Sequence, residues 1–263
     1  MPKKRVSRNL IALLTDFGDS DHYAGTMKGV ILSINPRATI VDISHNVSPQ
    51  NIQQAGYLLW ASYQYFPKGT IFACIVDPGV GTDRKIVGVE TDKFVFLAPD
   101  NGLLDMVLFQ EEIRRSYEIE SPPRIGSTPI STTFHGRDIF APLAASLSLG
   151  KSLSQFGKPC TMKKPASVFH AIEKNDSPAR ILHIDRFGNI ITNIPAQYFG
   201  QCTIRIGRSK ISRGVQSYAE APLDNPVIIV GSSGLLEIAL RDGSAADKLG
   251  VNLRAMKSII VGR

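Results

Sequence analysis

The chain has 263 residues, 43% of them hydrophobic and 20% charged, with a formal net charge of +7. That length supports one large domain or a medium and a small one, and the composition excludes a disordered or fibrous class. No apolar run approaches the roughly 20 residues of a membrane helix, so no membrane role is expected.

Lys3, Lys4, Arg5 and Arg8 place four of the basic charges in the first eight residues. No apolar leader core follows them, so no secretory signal is expected. The remaining basic residues are scattered and lack aromatic interleaving, which argues against a nucleic-acid partner. Cys74, Cys160 and Cys202 are far apart and odd in number. This spacing suits reduced thiols in a cytoplasmic protein better than a disulfide scaffold or a zinc ribbon.

Residues 9–14 form an apolar run followed by Thr15-Asp16-Phe17-Gly18, which reads as a strand and a turn. A carboxylate at a strand end suits a ribose diol, and it equally suits a turn cap. Asp16, Asp19, Asp21 and His22 crowd within seven residues, but their spacing fits no calcium loop, and no metal is expected. Residues 23–34 have near-helical apolar spacing and stop before Asn35-Pro36. Residues 39–43 read as a second strand. Residues 51–65 read as a helix with Ser48 as its N-cap and Pro49 in its first turn.

Residues 70–76 form a buried strand that runs into Val76-Asp77-Pro78-Gly79-Val80-Gly81. The D-x-G-x-G here is part of the methyltransferase nucleotide fingerprint, yet Asp83 stands where the next glycine belongs. Arg84, seven residues after Asp77, is placed to hold that carboxylate ionised. A structural ion pair is the plainer reading. Residues 86–91 and 94–98 are expected as a hairpin, followed by helical segments near residues 101–109 and 136–149. Phe134-His135-Gly136-Arg137-Asp138 puts His135 at a helix start, where the dipole disfavours imidazolium. The β-α-β-α-β opening predicts a largely parallel sheet with flanking helices.

Residues 151–177, rich in Pro, Lys and Ser, read as a linker or wrapping segment. Short β-rich runs follow at 180–185, 190–193, 203–206, 227–230, 235–240 and 258–261, predicting a small antiparallel sheet or barrel. Asp185-Arg186-Phe187-Gly188-Asn189 supplies an amide suited to an adenine edge, although Gly-Asn is also a common hairpin turn. Gly231-Ser232-Ser233-Gly234 is too short for a nucleophile elbow; its hydroxyls and N–H groups suit a carboxylate.

Taken in order, T-D-F-G, V-D-P-G-V-G-T-x-R, A-P-D-N-G-L-L, F-H-G-R-D, F-G-N-x-x-T-N and S-S-G-x-L-E-I-A resemble the S-adenosyl-L-methionine (SAM) hydroxide adenosyltransferase family. That family is related to the fluorinating and chlorinating adenosyl transferases. The resemblance spans about residues 10–261. It implies an α/β domain over residues 8–165 and an antiparallel, β-barrel-like domain over residues 177–263. It implies hydrolysis of SAM at the ribose C5′, to adenosine and L-methionine, with no cofactor beyond that substrate.

By matching motif, the resemblance implies that Asp77, Arg84 and His135 activate water and that Asp16 binds the ribose diol. It puts Asp21, Asp185, Ser232 and Ser233 around the methionine, and Asn189 at the adenine with Phe187 close by. It further implies a homotrimer with sites between one subunit's first domain and a neighbour's second. Leu240-Arg241-Asp242-Gly243 departs from the family, which usually carries Asn before Gly there. The rival readings are a class I methyltransferase, a halogenase on the same scaffold, and a nucleotide sensor without turnover. In halogenating relatives the Asp77 position is typically aromatic or small, and the fluorinating ones carry a hydroxyl residue at the Gly136 position. Asp77 with His135-Gly136 therefore favours water.

Overall fold

The computed structural model describes residues 9–124, 126, 129–172, 177–253 and 259–262. The chain divides into two compact units between Ala166 and Ser167. No helix among the described residues is long and apolar enough to cross a membrane.

The first unit is built on a seven-stranded sheet. Its strands are β1 (Leu10–Thr15), β2 (Thr39–Ser44), β3 (Ile71–Ile75), β4 (Ile86–Thr91), β5 (Val95–Pro99), β6 (Ile113–Ile119) and β7 (Gly157–Pro159). Their spatial order is β2-β1-β3-β5-β4-β6-β7. The first four in that order are mutually parallel, and only β4 and β7 run against the rest. Helices α1 (Tyr23–Ile34), α2 (Ile52–Ser62), α3 (Asp105–Gln110) and α4 (Ala141–Ser148) cover the sheet.

The continuous apolar run of the central strands follows from burial on both faces. Ile11, Leu13, Ile71, Ala73 and Ile75 join Met27 and Ile31 of α1 and Leu143 and Leu147 of α4 in one core. The alternate residues Ala12, Leu14, Phe72 and Cys74 join Ala55 and Leu59 of α2 and Val107 and Leu108 of α3 in the other. Phe72 and Phe96, both fully buried, stack with centroids 5.0 Å apart. Truncating Phe72 to Ala would cost about 3–5 kcal/mol.

Several local expectations are corrected. The cap of α2 is Asn51, whose side chain accepts from the Gln54 N–H at 3.0 Å, and not Ser48. The Ser48 N–H instead donates to the Gln54 side chain at 2.8 Å, so Ser48 and Pro49 lie outside the helix. Residues 136–140 form a π-helical turn that runs into α4, rather than one continuous α-helix. The segment read as a linker contributes Leu153 to the core and β7 to the sheet. β6 was not foreseen: its sequence IRRSYEI pairs with both β4 and β7.

The second unit contains β8 (Ser177–Ala179), β9 (Ile181–Ile184), β10 (Ile190–Pro195), β11 (Thr203–Ile206), β12 (Ser209–Ile211), β13 (Val227–Val230), β14 (Leu235–Ala239) and β15 (Ile259–Gly262). They make two four-stranded antiparallel sheets, ordered β13-β14-β10-β9 and β12-β11-β15-β8. The described residues form no closed barrel. Ser258, expected to begin the last strand, lies outside them. Ile190, Ile204, Leu236, Ile238 and Ile259 form the shared core. A short helix, α5 (Ala245–Leu249), was also not foreseen; Ser244 caps it, accepting from the Asp247 N–H at 3.0 Å.

Candidate active site

The chain passes from β1 to β2 on one side and then returns to β3 on the other side of β1. The gap beyond β1 and β3 is therefore a topological switch point, where open α/β sheets bind ligands. Thr15 pairs with Ile75 in the parallel register. Asp16 and Asp77, which follow these strand ends, consequently emerge as neighbours.

The turn after β3 is held at both ends. The Asn101 side chain donates to the Val76 carbonyl at 2.9 Å, giving the A-P-D-N-G motif a structural role. Gly81 has φ +81°, and a Cβ there would lie 2.4 Å from the Thr132 carbonyl oxygen. Only glycine lets the turn approach the 131–134 loop so closely. That approach brings Arg84 to His135. Asp138 fixes the same loop by accepting from the Ser131 N–H at 2.8 Å, while Arg137 holds Asp138 with two further bonds.

Arg84 donates to Asp77 Oδ2 from Nε at 2.7 Å and from Nη2 at 2.5 Å. Nη2 also lies 2.5 Å from His135 Nδ1. An arginine can only donate, so His135 Nδ1 is the acceptor and the neutral ring carries its proton on Nε2. Burial lowers the His135 pKa and the Arg84 charge lowers it further, against the opposing pull of Asp77 and Asp138. The side chains of Asp77 and Arg84 are only 5% and 12% exposed. Asp77 Oδ1 is buried and has no hydrogen-bond partner among the described residues. Such a buried acceptor is costly unless something fills it.

Asp16 is half-buried, and burial pushes its carboxyl up. The N–H groups of Gln50 and of Asp16 itself oppose this, and the Asp77 charge adds to it. Phe17, Tyr23 and Phe134 pack edge to face or tilted, with centroids 5.1–5.8 Å apart. This aromatic cluster ties the turn after β1 to the loop bearing His135, a tie that the sequence reading missed. Asp21 lies exposed just before α1. Among the described residues, no group of three or more His, Cys, Asp or Glu side chains could hold a metal. Asp19 receives a hydrogen bond from Asn46 instead.

In the second unit, Asp185, Phe187 and Asn189 line an open cleft of about 650 Å³ with Tyr218 and Arg241. Phe187 is 77% exposed at its edge. Asp185 accepts from the Phe187 N–H and from both the N–H and the side-chain amide of Asn189, at 2.8–2.9 Å. One Asn189 amide N–H is thus used within its own turn, which leaves the second N–H and the carbonyl oxygen of the amide. Ser232 is exposed, while Ser233 Oγ is buried without a partner among the described residues. Beneath them lies Glu237, whose carboxyl burial pushes up and to which the Tyr218 hydroxyl donates at 3.2 Å. Tyr218 carried no sequence signal, because the stretch around it matches no motif.

The largely parallel sheet with flanking helices and a switch point between β1 and β3 places the first unit in the broad class of open α/β folds. Residues 11–157 match the SAM hydroxide adenosyltransferase N-terminal domain, and residues 179–256 match the corresponding C-terminal domain. The chain belongs to the SAM hydroxide adenosyltransferase family. It is 35% identical over 247 residues to the (R)-S-adenosyl-L-methionine hydrolase of Thermus thermophilus, covering 92% of this chain and 95% of that one. A fluorinase of Actinopolyspora mzabensis is more distant, at 27% over 296 residues, covering 96% and 98%. The crystal structure of an uncharacterized conserved protein from Thermotoga maritima superposes with a TM-score of 0.82 at 34% identity, covering 96% and 100%.

Proposed function

We propose that the protein hydrolyses SAM to adenosine and L-methionine. Water attacks the ribose C5′ as the C5′–S bond breaks, and its electron pair passes to sulfur to give the thioether of methionine. The sulfonium is already a good leaving group, so no acid is needed to expel it. The demanding task is to align and activate water.

The buried, unpartnered Oδ1 of Asp77 is the observation that carries this reading. Water seated there gives its proton to Asp77. His135 is not the base in this arrangement, because its Nδ1 lone pair faces Arg84. Arg84 keeps Asp77 oriented and stabilises developing hydroxide. General-base assistance contributes on the order of 10²–10⁴ in rate, and alignment contributes up to roughly 7–11 kcal/mol. Asp16 binds the ribose diol. Asp21, Asp185, Ser232 and Ser233 hold the methionine end, and Asn189 with Phe187 receives the adenine.

The proposal includes a cytoplasmic homotrimer with domains over residues 8–165 and 177–263. Asp16, Asp77, Arg84 and His135 come from one subunit, as does Asp21, and Asp185, Asn189, Ser232 and Ser233 come from its neighbour. Family resemblance supports the trimer, and cysteine spacing supports the compartment. Incubation with SAM in ¹⁸O-water tests the chemistry. Label in the 5′-hydroxyl of adenosine is expected; S-adenosylhomocysteine, a 5′-haloadenosine or unlabelled adenosine would overturn it. Light scattering tests the assembly, together with rescue of activity on mixing an Asp77→Asn subunit with one altered at Asn189 and Ser233.

A further inference from the structure

The turn bearing Asp16 is clasped along its length by residues 45–50. The Gly18 N–H donates to the His45 carbonyl at 2.7 Å, and the Val47 N–H donates to the Thr15 carbonyl at 3.4 Å. The Asn46 side chain donates to Asp19. At the far end, the Gln50 N–H donates to Asp16 Oδ2 at 2.8 Å. Gln50 reaches it from a left-handed conformation, φ +64°, that residues other than glycine seldom adopt. Strain of this kind persists only where the surroundings impose it.

The anchor of the clasp is His45, which is 4% exposed. Its Nδ1 lies 2.8 Å from the hydroxyl of Thr15, which is 0% exposed. Its Nε2 lies 3.1 Å from Asp42 Oδ1. Asp42 is held in turn by Lys28 at 2.5 Å. The β1–β2 register shifts between Leu13 and Leu14, which pair with Asp42 and Ser44, an irregularity one residue before His45. A buried Thr–His pair at the end of an otherwise apolar strand gains little stability over an apolar pair of the same shape. It does fix one geometry, and that geometry aims Asp16.

We propose that His45 is a positioning residue: its ring, bonded to Thr15, holds the 45–50 segment so that the Gln50 N–H fixes Asp16 for the ribose diol. This rests on the ribose reading of Asp16. The role belongs to binding and not to the chemical step, because a ribose contact is made alike in the ground and transition states.

Steady-state kinetics with SAM test it. His45→Leu is expected to raise KM about tenfold with kcat within about threefold, the loss of roughly one charge-assisted contact. His45→Asn, whose side-chain amide falls near the Nδ1 position, is expected to restore most of the affinity. Thr15→Val should match His45→Leu, and Thr15→Ser should match the wild type. Thr15→Val also takes the place of His45→Leu should that variant not fold. Combined with Asp16→Ala, neither loss should raise KM further, because each acts through Asp16. An unchanged KM in Thr15→Val, a loss confined to kcat, or effects that multiply with Asp16→Ala would overturn the inference. If Asp16→Ala itself leaves KM unchanged, the ribose reading fails and takes this inference with it. If Asp16→Ala raises KM while Thr15→Val does not, only the inference fails.

Discussion

Both Arg84 nitrogens that face Asp77 bind the same oxygen, Oδ2, at 2.7 and 2.5 Å, and leave Oδ1 to whatever enters the crevice. One carboxylate is thus divided into a held oxygen and a free-facing one. Asp77→Asn keeps the shape but removes the charge that, in the proposed mechanism, takes the proton from water. It is expected to lower kcat by about 10²–10⁴ with KM changed only a few-fold, as single-turnover kinetics and calorimetric binding would measure. Arg84→Lys should also lower kcat, because a point ammonium cannot reach Asp77 and His135 in the same plane. Loss of binding in Asp77→Asn would show the carboxylate to be a ligand contact instead.

Protonation of His135 is a second point of control. Its folded pKa is lowered, first by burial and then by Arg84, so the neutral ring is favoured. The unfolded chain binds that proton near the ordinary value of about 6.5. Stability is therefore lost as pH falls from there toward the folded value, and the Arg84–Nδ1 contact goes with it. The acid limb of kcat is expected below pH 6.5. In an NMR titration the His135 midpoint should lie below 6.5 and move up in Arg84→Met. A midpoint at or above 6.5 in the native enzyme would contradict the arrangement.

Asp16 carries a cost of the opposite kind. Its folded pKa is raised by burial, so its ionised form opposes folding at pH values above the unfolded carboxylate value of about 3.9. Asp16→Asn is expected to raise Tm at pH 7 by about 2 °C, an advantage that shrinks as pH falls through the raised value. The same variant should bind SAM about tenfold more weakly. Calorimetric scans at pH 7 and pH 4, set beside KM, distinguish a residue kept for function from one kept for stability.

Gly81→Ala offers a test at the hinge between the two catalytic loops. The new methyl group would meet the Thr132 carbonyl at 2.4 Å in a backbone conformation that alanine resists. A destabilisation of about 1–3 kcal/mol by urea unfolding is expected. The kcat of the folded fraction should fall as well, because displacing residue 132 displaces His135.

Much of this site was legible because its chemistry sits in short, punctuated turns. The apolar runs of β1 and β3 end abruptly at Asp16 and Asp77, and glycines and prolines mark the loops that follow. The continuously apolar strands likewise announced a parallel sheet covered on both faces. The 45–50 clasp was not legible, since Thr15 and His45 are 30 residues apart and His45 sits in no pattern that points back to the T-D-F-G turn. β6 escaped notice because Arg114 and Arg115 interrupt its apolar alternation. β7 is three residues long within a run rich in Lys, Pro and Ser, and it owes its form to pairing with β6. Asn51 outdid Ser48 as a cap through a local geometry that composition does not distinguish.

Gly136 occupies a space that three side chains close in on. A Cβ there would stand 3.1 Å from the Met27 sulfur and 3.2 Å from both Phe134 and Phe17. Those two rings belong to the wall that joins the turn after β1 to the loop bearing His135. A side chain at residue 136 would need all three of these side chains to give by a few tenths of an ångström. Gly136→Ala would therefore be felt at once in two stretches of chain that lie far apart in the sequence, because the rings lining that space come from both.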